Sequence, residues 1–395
     1  METELAESAA RNLRLEKRMI GKKQSPTQGL RVLMAAGGTG GHIFPALAVA
    51  RELQGEAGKQ SGGSHGPSRP EIVFLGTDRG LESRVIPEQG FALRVVAAAG
   101  LKNMGVVERI RNLLILPKSA IQSASILRAF RPHVVVGMGG YLAGPVMLEA
   151  ALVGIPTLLI EPNAVPGFTN RWLAPFISLA AVGFEASSPF FGKKARRTGH
   201  PVRRSIAQVP RKDHVAPMTL LIVGGSQGSV AINNVVIESL PLLAKRKDAL
   251  KIIHQSGSRD YERVRAAYAK EGIDAEVRSF VDDMAEALSR ADLVVSRAGA
   301  MTVAELAAAG RASILIPLPS ASDNHQLANA RVLANAGGAK ILEQHDLNPS
   351  RFYQAIVELL DGPSALTAME TNARKIFIPG AAKRIADLIL ELARL

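Results

Sequence analysis

No cysteine occurs among the 395 residues of the chain. That excludes disulfides, thiolate nucleophiles and cysteine-bound zinc. Aromatic residues are scarce at 4%, with Trp172 as the one tryptophan, which argues against a stacking platform for single-stranded nucleic acid. Long apolar runs are missing too. Stretches such as Leu113–Leu116 and Ala307–Leu318 are short or broken by charge, Gly and Pro. A spanning helix needs roughly 20 apolar residues. Residues 1–28 carry charges from Glu2 to Lys23 and no apolar signal core, so they read as an N-terminal extension. The eight histidines show no metal-ligand spacing, and neither a metal nor a cofactor is expected.

Positive charge, by contrast, is plentiful. The net charge is +13, and it is uneven: residues 1–200 hold 24 Lys/Arg against 14 Asp/Glu, residues 201–395 hold 24 against 21. A basic first half points to an anionic partner (phosphates, a membrane surface or nucleic acid), or else is ordinary solubility charge.

Apolar strands alternate with helical patterns along the chain. Arg31–Ala36 reads as a strand that stops at glycines, with a helix over Ile43–Leu53 and Pro45 in its first turn. Further strands are expected at Glu71–Leu75, His133–Val136 and Thr157–Ile160. The pattern restarts at Thr219–Val223, with a helix over Val230–Leu240 and strands at Leu250–His254, Ala275–Ser279, Leu293–Ser296 and Ser313–Pro317. Such alternation implies parallel sheets covered on both faces. Two starts predict two Rossmann-like doubly wound α/β domains facing a cleft. The first spans residues 29–200, the second 201–378, and the amphipathic stretch 379–395 packs back on the first.

Three glycine loops lie at expected strand ends: Gly37–Gly41, Gly137–Gly144 and Gly224–Gly228. Without side chains, backbone N–H groups can approach a phosphate, and a following helix N-terminus adds partial positive charge. None is a complete dinucleotide fingerprint and none contains the Gly-Lys-Ser/Thr of a P-loop. Together they suggest more than one phosphorylated group.

The order of longer motifs is more specific. GGTGGHIFP (Gly37–Pro45), GMGGYLAGP (Gly137–Pro145), EPN (Glu161–Asn163), GHPVR (Gly199–Arg203), GGSQG (Gly224–Gly228), HQSG (His254–Gly257), FVDDM (Phe280–Met284) and RAGAMTVAELAAAG (Arg297–Gly310) occur in this order. In them the chain resembles the MurG family of glycosyltransferases over about residues 31–395. Pro162 stands where that family often has Gln, and residues 1–28 and the Gly55–Pro70 stretch look like additions to it.

The resemblance implies a GT-B fold and transfer of N-acetylglucosamine from UDP-N-acetylglucosamine to the 4-hydroxyl of the muramyl sugar of lipid I. The product would be lipid II, with a β-1,4 linkage made by inversion and without a metal. It also implies a peripheral enzyme at the cytoplasmic face of the inner membrane, partnered by an anionic lipid surface and by other proteins of cell-wall synthesis, but not by nucleic acid.

Site roles follow from the same likeness. Thr39, Gly40 and Gly41 match contacts to the sugar end of the donor. Gly38, Gly139, Gly140 and Tyr141 are where the acceptor pyrophosphate is expected. Asn163 would bond the N-acetylglucosamine. Arg203 would pair with donor phosphate, or else form an interdomain salt bridge. Ser226 would meet the phosphates, and Val281 would hold uracil through its backbone. Ala300, Met301, Thr302, Val303 and Ala304 open a helix toward the pyrophosphate. Glu305 offers two acceptor oxygens to the ribose diol, or is a solvated helix-start charge. Gln326 would bind sugar hydroxyls or cap its own loop. His42 is the candidate base because imidazole titrates near neutrality, though it could serve only as a hydrogen-bonding group. Glu161 and Glu149 are alternatives. For membrane contact, Leu81, Val85, Ile86, Phe91 and Leu113–Phe130 lie among Arg84, Arg109, Arg111, Lys118 and Arg128, or else these apolar residues are ordinary buried helix face. The competing functions are another sugar-nucleotide enzyme such as an epimerase, a nicotinamide dehydrogenase, and a non-catalytic scaffold.

Overall fold

The computed structural model describes residues 29–37, 40–60, 69–78, 80–96 and 115–394. The N-terminal extension, residues 61–68 of the glycine-rich stretch, Gly38, Thr39, Arg109 and Arg111 lie outside them.

The chain forms two α/β units. One comprises residues 1–161, 166–201 and 380–395, the other residues 162–165 and 202–379. The first unit holds strands β1 (Arg31–Ala35), β2 (Glu71–Gly76), β3 (Ala92–Val95), β4 (Val134–Gly137), β5 (Thr157–Glu161), β6 (Leu179–Val182) and β7 (Ala195–Arg197). They form one sheet in the order β3-β2-β1-β4-β5-β6-β7, and each pairing is parallel. The second holds β8 (Met218–Val223), β9 (Leu250–Gln255), β10 (Ala275–Arg278), β11 (Leu293–Ser296), β12 (Ser313–Leu315) and β13 (Ala339–Ile341). Its order is β10-β9-β8-β11-β12-β13, again all parallel.

The strands read as continuous apolar runs because both sheet faces are covered. In β1, Val32 and Met34 enter one core and Leu33 and Ala35 the other. The first core also takes Ile385, Ala386, Ile389 and Leu392 from the C-terminal helix Ala381–Arg394, which packs on the helix Gly40–Gln60. In the second unit, Leu220 and Ile222 of β8 share a core with Ile232 and Val236 of the helix Val230–Leu243.

Several boundaries differ from the sequence reading. The first helix starts at Gly40 and runs to Gln60, so Pro45 lies beyond its first turn and the glycine-rich stretch begins inside the helix. Strands β3, β6, β7 and β13 were not anticipated. All are three or four residues long; β3, β7 and β13 are also polar or half-exposed in part, while β6 is apolar and mostly buried but too short to show a period. The segment Pro162–Val165 belongs with the second unit. There the Asn329 side chain accepts from the Ala164 N–H at 2.8 Å and donates to Asn163 Oδ1 at 3.2 Å.

Candidate functional site

In the first sheet the strand order reverses between β1 and β4. That switch point, at the carboxyl ends of the strands, is where open α/β sheets bind ligands. The first two glycine loops leave the sheet there, after β1 and after β4. Gly139 and Gly140 have φ of 85° and 77°, a backbone region that glycine enters without strain. A Cβ on Gly139 would sit 2.7 Å from the Asn170 amide, so a side chain is sterically barred as well. Tyr141 is the second residue of the helix Gly140–Leu152 and lies in its first turn.

His42 lies against both loops. Its Nδ1 is 3.2 Å from the Gly37 carbonyl, and Cε1 would be 3.8 Å from a Cβ on Gly140. Because a carbonyl only accepts, Nδ1 carries the proton in neutral imidazole and Nε2 carries the lone pair. A base needs that tautomer. Gly40 and Gly41 begin the same helix, and backbone N–H groups of a first turn have no acceptor within it.

Glu161 does not fit a base. Its side chain has no solvent exposure, and it accepts from Asn170 Nδ2 at 2.6 Å. The carboxylate orients Asn170, which in turn lies against Gly139. Burial beneath the loop, rather than access to a substrate hydroxyl, is what the end of β5 provides. Glu149 is nine residues, about two and a half helical turns, from Gly140 and feels the charge of Arg128. Burial pushes its pKa up to about 7, against the smaller opposing pull of Arg128, and its Oε2 is buried without a hydrogen-bond partner.

Of the apolar residues considered for membrane contact, Val85, Ile86 and Phe91 are core. Helical spacing in Glu82–Glu88 reflects packing on the sheet, not an exposed face. Leu81 is partly exposed, and Ile121 of the helix Ile115–Phe130 is 71% exposed.

The second sheet reverses between β8 and β11. The loop Gly224–Gly228 leaves β8 and leads to Ser229, whose hydroxyl caps the next helix by accepting from the Ile232 N–H. Ser226 is exposed at the loop crest. The loop is wound tightly: a Cβ on Gly228 would collide with the Ser256 carbonyl, and one on Gly257 with the Gln227 carbonyl. Behind it is a buried polar cluster. Asn233 Nδ2 donates to the Ser256 carbonyl at 2.9 Å and to Asp260 at 2.7 Å. Its Oδ1 accepts from His254 Nε2 at 3.1 Å, and His254 Nδ1 accepts from the Tyr268 hydroxyl at 3.1 Å. Burial pushes the His254 pKa down to about 3, which keeps the ring neutral in this role.

After β11 the chain enters the helix Ala300–Ala309 at Gly299, with no side-chain cap. The first N–H groups, on Ala300, Met301 and Thr302, have no acceptor in the helix, while Val303 N–H bonds back to the Gly299 carbonyl. Val303 and Ala304 are buried. Glu305 is mostly buried, and Arg203 lies 3.4 Å from its Oε1 within the same unit. Burial raises the Glu305 pKa, and the Arg203 charge opposes that rise. The Arg203 pairing is therefore inside the unit. The Val281 side chain is buried, so backbone is what it can offer, beside the exposed ring of Phe280. Gln326 Oε1 accepts from the N–H groups of Ala298 and Leu318 at 3.2 and 3.0 Å. It braces two loops and retains its NH2 as a donor.

Two residues of this site were missed in sequence. Asn329 is fully buried and joins Asn163, Ala164 and the Ala298 carbonyl. Its one sequence signal is its place three residues after Gln326, on the same helix face. Arg297 was visible inside a motif, yet nothing in the motif shows its environment.

Two doubly wound sheets with phosphate-type loops at their switch points define a GT-B-like sugar-nucleotide protein. The family models agree: residues 32–182 match the glycosyltransferase family 28 N-terminal domain, and residues 219–385 its C-terminal domain. The chain is 44% identical over 369 residues to the UDP-N-acetylglucosamine–N-acetylmuramyl-(pentapeptide) pyrophosphoryl-undecaprenol N-acetylglucosamine transferase of Anaeromyxobacter sp. Fw109-5, covering 92% of this chain and 94% of that protein. The enzyme of the same name from Myxococcus xanthus is 43% identical over 366 residues, covering 92% and 93%. The crystal structure of Acinetobacter baumannii MurG superposes with a TM-score of 0.74 at 35% identity, covering 92% and 99%. A Neisseria meningitidis UDP-GlcNAc 2-epimerase shares the fold alone, at 13% identity and a TM-score of 0.62, covering 92% and 100%. The chain belongs to glycosyltransferase family 28 and, within it, to the MurG N-acetylglucosaminyltransferases.

Proposed function

We propose that the chain transfers N-acetylglucosamine from UDP-N-acetylglucosamine to the 4-hydroxyl of the muramyl sugar of lipid I, making the β-1,4 linkage of lipid II with inversion. The observation that carries this reading is the match, 44% identical across 92% of the chain, to curated transferases of that name. The rival epimerase reading has only fold likeness behind it.

Each unit supplies its own part. In the second, Glu305 accepts from the ribose diol and Val281 meets uracil through its backbone. Ser226, Arg203 and the N-terminal N–H groups of Ala300–Thr302 face the diphosphate, while Asn163 and the Gln326 NH2 bond the sugar. In the first, the glycine loops with Gly38, Gly139, Gly140 and Tyr141 take the acceptor pyrophosphate, and Thr39, Gly40 and Gly41 meet the donor sugar. His42 Nε2 takes the proton of the attacking hydroxyl, with Nδ1–H held by Gly37. Inversion follows from one in-line displacement at the anomeric carbon. The charge developing on leaving UDP meets oriented N–H groups and a guanidinium, which suits a reaction without a metal.

A transfer assay with lipid I and UDP-N-acetylglucosamine, run with chelator, tests the reaction. Product formation at an undiminished rate is expected, and activity abolished by chelator would overturn the metal-free part. His42→Ala should lower kcat by about 10²-fold or more at saturating substrates. A near-normal kcat would remove His42 from the base role.

A lipid acceptor also calls for contact with an anionic membrane surface, at the cytoplasmic face. Exposed Phe168, Trp172 and Phe176 in the first unit support it. Lys194 is fixed beside them through the Ala174 and Pro175 carbonyls, placing a cation next to the rings. Among the described residues no helix is long and apolar enough to cross a membrane. Flotation with anionic vesicles should show salt-sensitive binding, and absence of binding at low salt would refute it.

A further inference from the structure

In the second unit, Arg311 and Arg297 turn their guanidinium groups inward with opposite surroundings. Arg311 is fully buried and has a carboxylate, Glu370, at 3.3 Å. That is the ordinary arrangement, because a charge removed from water without a counter-charge is costly. Arg297 is different. Its Nε donates to Ser229 Oγ at 3.1 Å, one terminal nitrogen to the Ile316 and Pro317 carbonyls at 3.1 and 3.3 Å, and the other to Gln344 Oε1 at 2.8 Å. Every one of these acceptors is neutral. No carboxylate pairs with Arg297 among the described residues, and burial alone pushes its pKa down.

Its position gives the unpaired charge a direction. Arg297 directly follows β11, Ser229 ends the loop that follows β8, and Ile316 directly follows β12. These strands are neighbours in the order β8-β11-β12, so the guanidinium sits at the carboxyl edge of the sheet, at its switch point. Four hydrogen bonds hold it there. Four of its five N–H donors are taken by the protein itself, yet its charge is not cancelled. An anion arriving above the Gly224–Gly228 loop would cancel it.

We propose that Arg297 is a positioning residue whose fixed positive charge, set behind the Gly224–Gly228 loop, is the built-in counter-charge for the diphosphate of the nucleotide donor. It acts through space and through the Ser229 cap rather than by contact. The same charge favours departure of UDP, since negative charge grows on that group as the sugar leaves. This rests on the reading above that the second unit binds a uridine diphosphate sugar.

The test compares UDP with uridine, which has the same base and ribose but no phosphate. Both affinities are measured on the wild type and on Arg297→Gln, Arg297→Lys and Glu305→Gln. An unfolded fraction lowers both apparent affinities alike, so their ratio reports charge recognition. In Arg297→Gln, UDP should weaken on the order of tenfold, about 1.4 kcal/mol, with uridine within about twofold. Arg297→Lys loses the fork of hydrogen bonds but keeps the charge, so it should retain most of the wild-type ratio. Equal losses for UDP and uridine in the Gln variant, or a Lys variant that discriminates as poorly as Gln, would assign Arg297 a purely structural role. Should the Gln variant not fold, the Lys variant decides through pH. Its ratio should fall as the lysine loses its proton, while the wild-type ratio stays level. Glu305→Gln reports on the site separately, since it should weaken both ligands. A wild type that binds neither, or indifference of both to Glu305→Gln, would overturn the donor site and this proposal with it.

Discussion

Glu305 shows how one carboxylate is made ready for a diol. Burial raises its pKa while Arg203, 3.4 Å away and itself half-exposed, keeps the charged form accessible. Glu305→Gln replaces one acceptor oxygen by a donor. We expect KM for UDP-N-acetylglucosamine to rise by about tenfold, the cost of one charge-assisted hydrogen bond, with a smaller change in kcat. Steady-state kinetics against donor concentration checks it. Glu149 makes a different prediction. Its carboxyl titrates near 7 when folded and at the ordinary 4.5 when unfolded, so the folded chain binds the extra proton between those values. The stability this contributes is complete below about pH 4.5 and is lost as pH rises through 7. The melting temperature of Glu149→Gln should therefore lack that decline relative to wild type, gaining most on the alkaline side. Thermal unfolding of both proteins across pH 4–8 measures it, and parallel curves would contradict it. Neither environment is visible in sequence. Glu305 read equally well as a solvated helix-start charge, and Glu161 as a base, until burial separated them.

At the scale of elements, loops rather than strands carry the constraint. The Gly224–Gly228 loop and the Ser256-Gly257 turn meet backbone to backbone, and the Asn233–His254–Tyr268 cluster holds the turn in place. Gly228→Ala would drive a Cβ into the Ser256 carbonyl at a position with φ of 77°. A destabilisation of about 1–3 kcal/mol from the backbone strain alone is expected, together with weakened UDP binding. Denaturant unfolding and UDP titration check the two parts. Glycine spacing in the sequence located this loop and its two counterparts. It did not reveal that a second turn closes on it from behind, because residues 228 and 257 belong to consecutive strand–helix repeats with no shared pattern. The short strands β3, β6, β7 and β13 were missed for a related reason. They pair by backbone with neighbouring strands, so tertiary context and not local apolar period makes them strands.

At the scale of the whole molecule, each sheet depends on helices from distant parts of the chain. The C-terminal helix places Ile385 and Ile389, both fully buried, in the core of the first unit. Ile389→Ala should cost roughly 2–5 kcal/mol, and the loss should appear as earlier unfolding of the first unit, read by the emission of Trp172. An unchanged midpoint would mean the helix is dispensable. The sequence by itself determined the class of the protein: two runs of alternating apolar strands and helices can satisfy their backbones and bury both faces only as parallel sheets. It also located the glycine loops at the strand ends, because only glycine permits those backbone angles and that closeness. Tertiary structure alone decided the chemistry of the side chains around them. It gave His42 its tautomer through the Gly37 carbonyl, sealed Glu161 under Asn170, and spent the oxygen of Gln326 on two loop amides. It also left Arg297 charged among neutral acceptors. Burial and hydrogen-bond partners are properties of residues far apart in the chain, and no local pattern encodes which of them will meet.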